Sequence, residues 1–240
     1  MSLDRFQYDS GKGLTLVMEK HGEHDQKTHG NWADGNFNEE TESEDAQSEY
    51  FERYGFNNDG DPAGTTREEI DALGYYATAG YRNINEGLRE GWQNGNDAVH
   101  ISNLDTLIEE SPDIFGDKTL YRVMSDEVLA DLQPGDIFID KGYTSTTRVD
   151  ITNDENMYVK QDLLSISDTN NTVAVILPNE RKNGKGLAVD MYANATDGVT
   201  RTNGVLTAQA EREKEVLLPR STALKFIGIK DKVAVFQRTD

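Results

Sequence analysis

The sequence predicts an α+β fold in which N-terminal helices pack on a two-sheet mixed β-sandwich core. Three observations predict it. Apolar residues hold helical spacing between about Thr65 and Ser111. After Pro112 the period shortens to that of extended chain, and turn chemistry such as QPGD, TDG and TNG divides the extended segments. Helices first and strands afterwards imply a segregated sheet-on-sheet core rather than a parallel doubly wound sheet.

Taken in order, residues 1–60 read as a polar acidic leader, partly disordered. They hold GLTLVMEKHG, a glycine-dotted polar run and an acidic block from Glu39 to Glu49, a composition that buries little apolar surface. Within it, ESEDAQSEYFERYGF predicts one amphipathic helix with Tyr50, Phe51 and Tyr54 on its apolar face. NNDGDPAG is a break, and a single domain is expected over residues 61–240. Thr66 and Glu69 match a capping box, which predicts a helix running to about Glu90 with Ile70, Leu73, Tyr76, Tyr81, Ile84 and Leu88 near helical spacing. SNLDTLIEES predicts a second helix with Ser102 as its N-cap, ending before Pro112. Strands are expected around TLYRVM, DIFIDKGYTSTT, NTVAVIL, GLAVDMYA, EKEVLL, ALKFIGI and KVAVFQ. NERKNGKG reads as the loop of one hairpin and KDK as the turn of another.

Composition narrows the function classes. The 240 residues carry 24 Lys and Arg against 44 Asp and Glu, a net charge of −20. Gripping nucleic acid needs a basic surface that releases counterions, so no nucleic-acid partner is expected. Such a field would attract a basic protein, or serve solubility alone. The absence of cysteine excludes disulfides and thiolate metal sites. No secretory signal and no bilayer-length apolar run is present, so a soluble protein without a membrane partner is expected.

Three segments carry candidate chemistry. Arg122 is a cation inside the otherwise apolar TLYRVM, with Val123 after it. GYTSTT ends a strand in hydroxyls, Thr144 to Thr147. In QAEREKEVLLP, Glu211, Glu213 and Glu215 alternate, which on an extended strand places like charges on one face. An exposed edge explains that stacking; so does a cationic substrate or transition state.

In this order and spacing the segments resemble the ADP-ribosyltransferases of the arginine–serine–glutamate subclass. Arg122 matches that family's arginine on the first core strand. Tyr143-Thr144-Ser145-Thr146-Thr147 matches its aromatic-x-Ser-Thr-Ser strand, with Thr147 replacing the last serine. Glu213-Lys214-Glu215 matches its Glu-x-Glu, directly before the hydrophobic strand VLLP. Val123 stands where the family often has glycine. The helix YYATAGYRNINEGLR, ending at Leu88 and Arg89, and the segment GLAVDMYA are similar to the family's as well, so the likeness covers roughly residues 65–236.

The resemblance implies the fold of that family and an enzyme that cleaves NAD+ and transfers ADP-ribose to a protein, with NAD+ as substrate and no metal. Arg122, Val123, Ser145, Thr146 and Thr147 would then bind NAD+. Glu215 would stabilise the ribosyl cation as carboxylates do in glycoside hydrolysis, and Ser145 would orient it. Glu213 would face the acceptor, and a glutamate there, where relatives that modify asparagine or cysteine tend to carry glutamine, favours an accessible arginine. Glu211-Arg212-Glu213 is the alternative frame. The alternatives in function are an NAD+ glycohydrolase, and a non-enzymatic virion or interaction protein on the same fold.

Weaker signals remain. His21, His24 and His29 do not fit a standard zinc spacing. HDQKTHG resembles a short motif of head-associated proteins in tailed bacteriophages, which implies packaging in a virion and delivery to the bacterial cytoplasm. His100 reads as structural.

Overall fold

The structure is a computed structural model that describes residues 5–9, 13–17, 64–111, 115–165, 170–181, 184–192 and 212–239. The chain divides into two compact units, Met1–Gln47 and Ser48–Asp240. In the first, β1 (Arg5–Asp9) and β2 (Gly13–Val17) pair antiparallel. The expected helix over ESEDAQSEYFERYGF, and His21, His24 and His29, lie outside the described residues.

The second unit opens with helices. Thr66 caps α1 (Arg67–Tyr75): its hydroxyl accepts the Glu69 N–H, and the Glu69 carboxylate accepts the Thr66 N–H at 2.7 Å. This is the expected capping box. The helix then widens into a π-helical turn over Tyr76–Gly80 before α2 (Tyr81–Glu90) resumes the regular pitch. A Cβ at Gly80 would stand 2.4 Å from the Tyr75 ring, so the wide turn depends on glycine there. The next helix, α3, spans Gly95–Glu110 and starts earlier than expected. Asn94, not Ser102, is its N-cap, with Oδ1 accepting the Asp97 N–H at 2.9 Å. Ser102 lies inside α3, where its carbonyl accepts from Thr106.

The remaining strands are β3 (Leu120–Ser125), β4 (Ile137–Ile139), β5 (Thr144–Thr147), β6 (Asn171–Leu177), β7 (Leu187–Ala188), β8 (Glu215–Leu218), β9 (Ala223–Lys230) and β10 (Val233–Arg238). They form one mixed sheet in the order β4-β9-β10-β6-β3-β5-β8-β7. Only β10 with β6 is parallel. Two short helices that the periodicity did not mark, α4 (Asp126–Ala130) and α5 (Met157–Ser165), follow β3 and β5.

The α+β class therefore holds, and three details change. First, the two expected sheets are hydrogen-bonded into one order. The join is narrow, since β3 meets β5 only at Tyr121 with Thr147. Second, DIFIDKGYTSTT is not one strand. β4 pairs with β9 at one end of the order, β5 lies between β3 and β8, and residues 140–143 cross between them. Third, NERKNGKG does not close a hairpin. Both edges of β6 are taken by β3 and β10, so β7 pairs with β8 instead. KDK does turn a hairpin: Asp231 (φ 51°) and Lys232 (φ 65°) make the two-residue reversal between β9 and β10.

Candidate active site

The site begins where β5 and β8 run side by side. Along β5 the side chains alternate, so Ser145 is exposed between buried Thr144 and Thr146. Ser145 lies opposite Leu217, which puts Glu215 on its diagonal, and Ser145 Oγ donates to Glu215 Oε1 at 2.5 Å. The other two hydroxyls of the motif also reach this segment, but its backbone. Thr146 Oγ1 donates to the Val216 carbonyl at 2.6 Å, and Thr147 Oγ1 to the Glu213 carbonyl at 2.5 Å. One hydroxyl thus aims a carboxylate while two fasten the chain on either side of it.

Glu213 departs from the extended geometry expected of it. Arg212 and Glu213 form a helical turn, Lys214 sits at φ 46°, and β8 begins at Glu215. A lysine in the left-handed region is uncommon, because its Cβ crowds the following carbonyl. Across the turn the charge of Glu213 still acts on the Glu215 carboxyl. Glu211 lies outside the described residues.

Burial pushes the Glu215 carboxyl up to about 7. The Ser145 hydrogen bond opposes that rise, and the charges of Glu213 and Asp190 add to it.

The cationic half lies on β3 and α2. Arg122, opposite Ala174 in the β3–β6 ladder, has Nε and Nη1 buried without a hydrogen-bond partner among the described residues. Burial lowers its basicity; the charge of Asp140 partly offsets this. The Val123 side chain packs against the cluster of Ile151, Val159 and Val173.

Sequence reasoning singled out Arg89 only through the likeness of its helix, and missed what holds it. Asp140, in the crossing from β4 to β5, takes Arg89 Nε and Nη2 on its two oxygens at 2.8 Å each. The Gly142 N–H donates to the same carboxylate at 3.0 Å. Burial alone would raise the Asp140 carboxyl, yet Arg89, Gly142 and Arg122 together hold it below its ordinary value. One turn before Arg89, Asn85 Oδ1 accepts the Tyr143 N–H at 2.9 Å, and Asn85 Nδ2 donates to the Tyr76 hydroxyl at 2.9 Å. A Cβ at Gly142 would stand 2.7 Å from Asn85 Oδ1, so glycine is needed for this approach. The available signal was the i, i+4 spacing of Asn85 and Arg89, which puts both on one helix face.

Among the described residues no group of His, Asp or Glu could hold a metal ion, and no helix is long and apolar enough to cross a membrane. The arrangement is polarised: arginine donors on β3 and α2, and on β8 a carboxylate held by a serine of β5, with a second glutamate in the turn before it.

Comparisons with known proteins bear on the fold and the family. The sequence profile of the ADP-ribosyltransferase exoenzyme family matches residues 30–239. No curated protein matches by sequence. Among solved structures, the ADP-ribosyltransferase Vis, from Vibrio splendidus, in complex with an inhibitor superposes with TM-score 0.54 at 16% identity, over 82% of this chain and 81% of that one. Exoenzyme S from Pseudomonas aeruginosa, bound to carba-NAD and human 14-3-3 protein beta, gives 0.53 at 16% identity over 82% and 89%. C3stau2 from S. aureus with NAD gives 0.51 at 16% identity over 74% and 89%. At such identities the structures speak for the fold, and the profile for the family: the chain belongs to the ADP-ribosyltransferase exoenzymes, whose substrate is NAD+.

Proposed function

We propose that this chain cleaves NAD+ and transfers its ADP-ribose to an arginine side chain of a protein. The observation that carries the reading is the Ser145–Glu215 hydrogen bond with Glu213 beside it. NAD+ has an anionic pyrophosphate and a cationic nicotinamide-ribose end, and the site has one feature for each. Arg122 carries buried donors with no partner among the described residues, which suits the anion. Glu215, ionised, faces the cation.

The bond between ribose C1′ and the nicotinamide nitrogen breaks, and its electron pair leaves with nicotinamide. Glu215 stabilises the oxocarbenium that remains, in a geometry fixed beforehand by Ser145. Thr146 and Thr147 serve this step through the backbone they hold, and Val123 through the strand that carries Arg122. The acceptor guanidinium nitrogen attacks C1′, with Glu213 orienting it and taking the proton it loses. Arg89, held in a fork by Asp140, adds a second cation at the pyrophosphate side. No step needs a metal.

The test is incubation with labelled NAD+ and a cell lysate, followed by mass-spectrometric mapping of modified residues. ADP-ribosyl-arginine is expected. Modification confined to asparagine or cysteine would refute the acceptor assignment, and release of free ADP-ribose alone would make the chain an NAD+ glycohydrolase.

A further inference from the structure

Arg148 lies just beyond β5, with only 12% of its side chain exposed and its guanidinium 5.6 Å from the centre of the Phe115 ring. Nothing in the reaction above uses it. Yet its contacts converge on the turn between the two glutamates. Its backbone N–H donates to the Lys214 carbonyl at 3.2 Å, with Nε at 3.5 Å from the same oxygen. Its Nη2 reaches Asp190 Oδ2 at 2.5 Å, and Lys214 Nζ lies 3.9 Å from that oxygen. Asp190 belongs to the turn of 3-10 helix after β7, and its side chain is 1% exposed. With Thr147 on the Glu213 carbonyl, two consecutive residues of one strand end fasten two consecutive carbonyls of the turn.

We propose that Arg148 is a positioning residue that, by clamping the Lys214 carbonyl and Asp190, holds Glu213 at a fixed place beside Glu215 and so sets how cleaved NAD+ divides between acceptor and water. This rests on the reading of Glu213 as the acceptor-side carboxylate. The physical argument concerns the turn itself. A left-handed lysine has no local reason to persist, and relaxation toward extended geometry would carry the Glu213 side chain away. A cation at Asp190 has a second consequence. The groups that act on the Glu215 carboxylate are Ser145 on β5, Glu213 in the turn and Asp190 after β7, while Glu215 itself acts on the Tyr76 hydroxyl in the π-helical turn. Arg148 and, at longer range, Lys214 balance Asp190, so removal of Arg148 leaves more of that negative charge to oppose ionisation of Glu215.

The experiment uses the full chain with Arg148→Met, Arg148→Lys and the double variant Arg148→Met/Asp190→Asn. Nicotinamide release without acceptor and ADP-ribosyl-agmatine formation are followed across pH, agmatine serving as a small guanidinium acceptor. In Arg148→Met the ratio of transfer to hydrolysis should fall about tenfold, the scale of one lost charge-assisted hydrogen bond. The acid limb of nicotinamide release should move to higher pH. Arg148→Lys and the double variant should restore the limb, one by returning a cation and the other by removing the anion, but not the ratio. Equal losses of transfer and hydrolysis with the limb unmoved would make Arg148 merely structural and overturn the proposal. So would an unchanged ratio in both single variants; Arg148→Lys keeps a cation at Asp190 should Arg148→Met fold poorly. If the parent protein releases nicotinamide but makes no ADP-ribosyl-agmatine, the arginine reading fails. Without transfer there is no division for Arg148 to set, and this proposal is overturned with that reading; an unchanged ratio in the variants of a parent that does transfer overturns this proposal alone.

Discussion

The cationic and anionic sides of the site are built on opposite plans. Around Glu215 the hydroxyls of Ser145, Thr146 and Thr147 each have a partner, and the main imbalance is charge: a half-buried carboxylate with Glu213 and Asp190 acting on it. Around Arg122 it is hydrogen bonding that is left unbalanced, because Nε and Nη1 find nothing among the described residues while Asp140 is engaged by Arg89. Each side therefore carries an electrostatic cost that the matching end of NAD+ would relieve. Removing a side chain on either side should abolish binding or chemistry while stabilising the empty protein, as at sites where function and stability oppose each other.

The largest effect is expected at Glu215. Glu215→Gln should lower nicotinamide release by about 10²–10³-fold or more, the scale of losing one preorganised group. It should also melt higher than the parent at pH 8, by a margin that shrinks at pH 5. The sign follows from a carboxyl raised to about 7 in the fold against an ordinary 4.5. Below both values neither state is ionised, and no penalty exists. Between them only the unfolded chain ionises, so stability falls as pH rises and levels off above 7. A variant that melts lower than the parent at pH 8 would mean that Glu215 is not strained.

Arg122 comes next. Arg122→Lys keeps charge but loses the planar fork, and NAD+ affinity measured by titration calorimetry should drop roughly tenfold or more. Arg122→Met should bind more weakly still and melt higher, since a buried guanidinium with unmet donors is replaced by an apolar chain. Unchanged affinity in both would make Arg122 an ordinary strand residue.

A smaller effect is expected with pH. The carboxylate is the working form of Glu215, so kcat/KM for NAD+ should rise through an acid limb near 7. A limb near 4.5 would contradict the burial argument. Smallest is Thr147→Val, which removes the hydroxyl on the Glu213 carbonyl at about 1 kcal/mol. It should reduce transfer more than hydrolysis; a Tm change with neither rate altered would leave Thr147 only structural.

What could be read from the sequence was what local pattern encodes. The Thr66 capping box and the KDK turn are read from residue type and order alone, whereas Arg122, the hydroxyl strand and Glu215 before VLLP stand out only through their likeness to the family's motifs. What could not be read depends on partners far apart in the chain. Asp140 pairs with Arg89 across 51 positions, and Arg148 with Asp190 across 42, with no periodicity linking either. The start of α3 failed for another reason: Asn94 and Ser102 are both good caps, and choosing between them requires knowing where the packed face begins. Alternating glutamates suggested an extended strand through Glu213, and Lys214 gave no warning because lysine is a poor marker of positive φ.

The central claim is a division of labour between two carboxylates, Glu215 for the ribosyl cation and Glu213 for the acceptor guanidinium. Glu213→Gln tests it most directly, because glutamine keeps the shape and removes only charge and proton acceptance. Nicotinamide release and ADP-ribosyl-arginine formation should be followed in the same samples. Transfer to arginine should collapse while much of the NAD+ hydrolysis persists. Normal transfer by Glu213→Gln, or equal loss of both activities, would contradict the account.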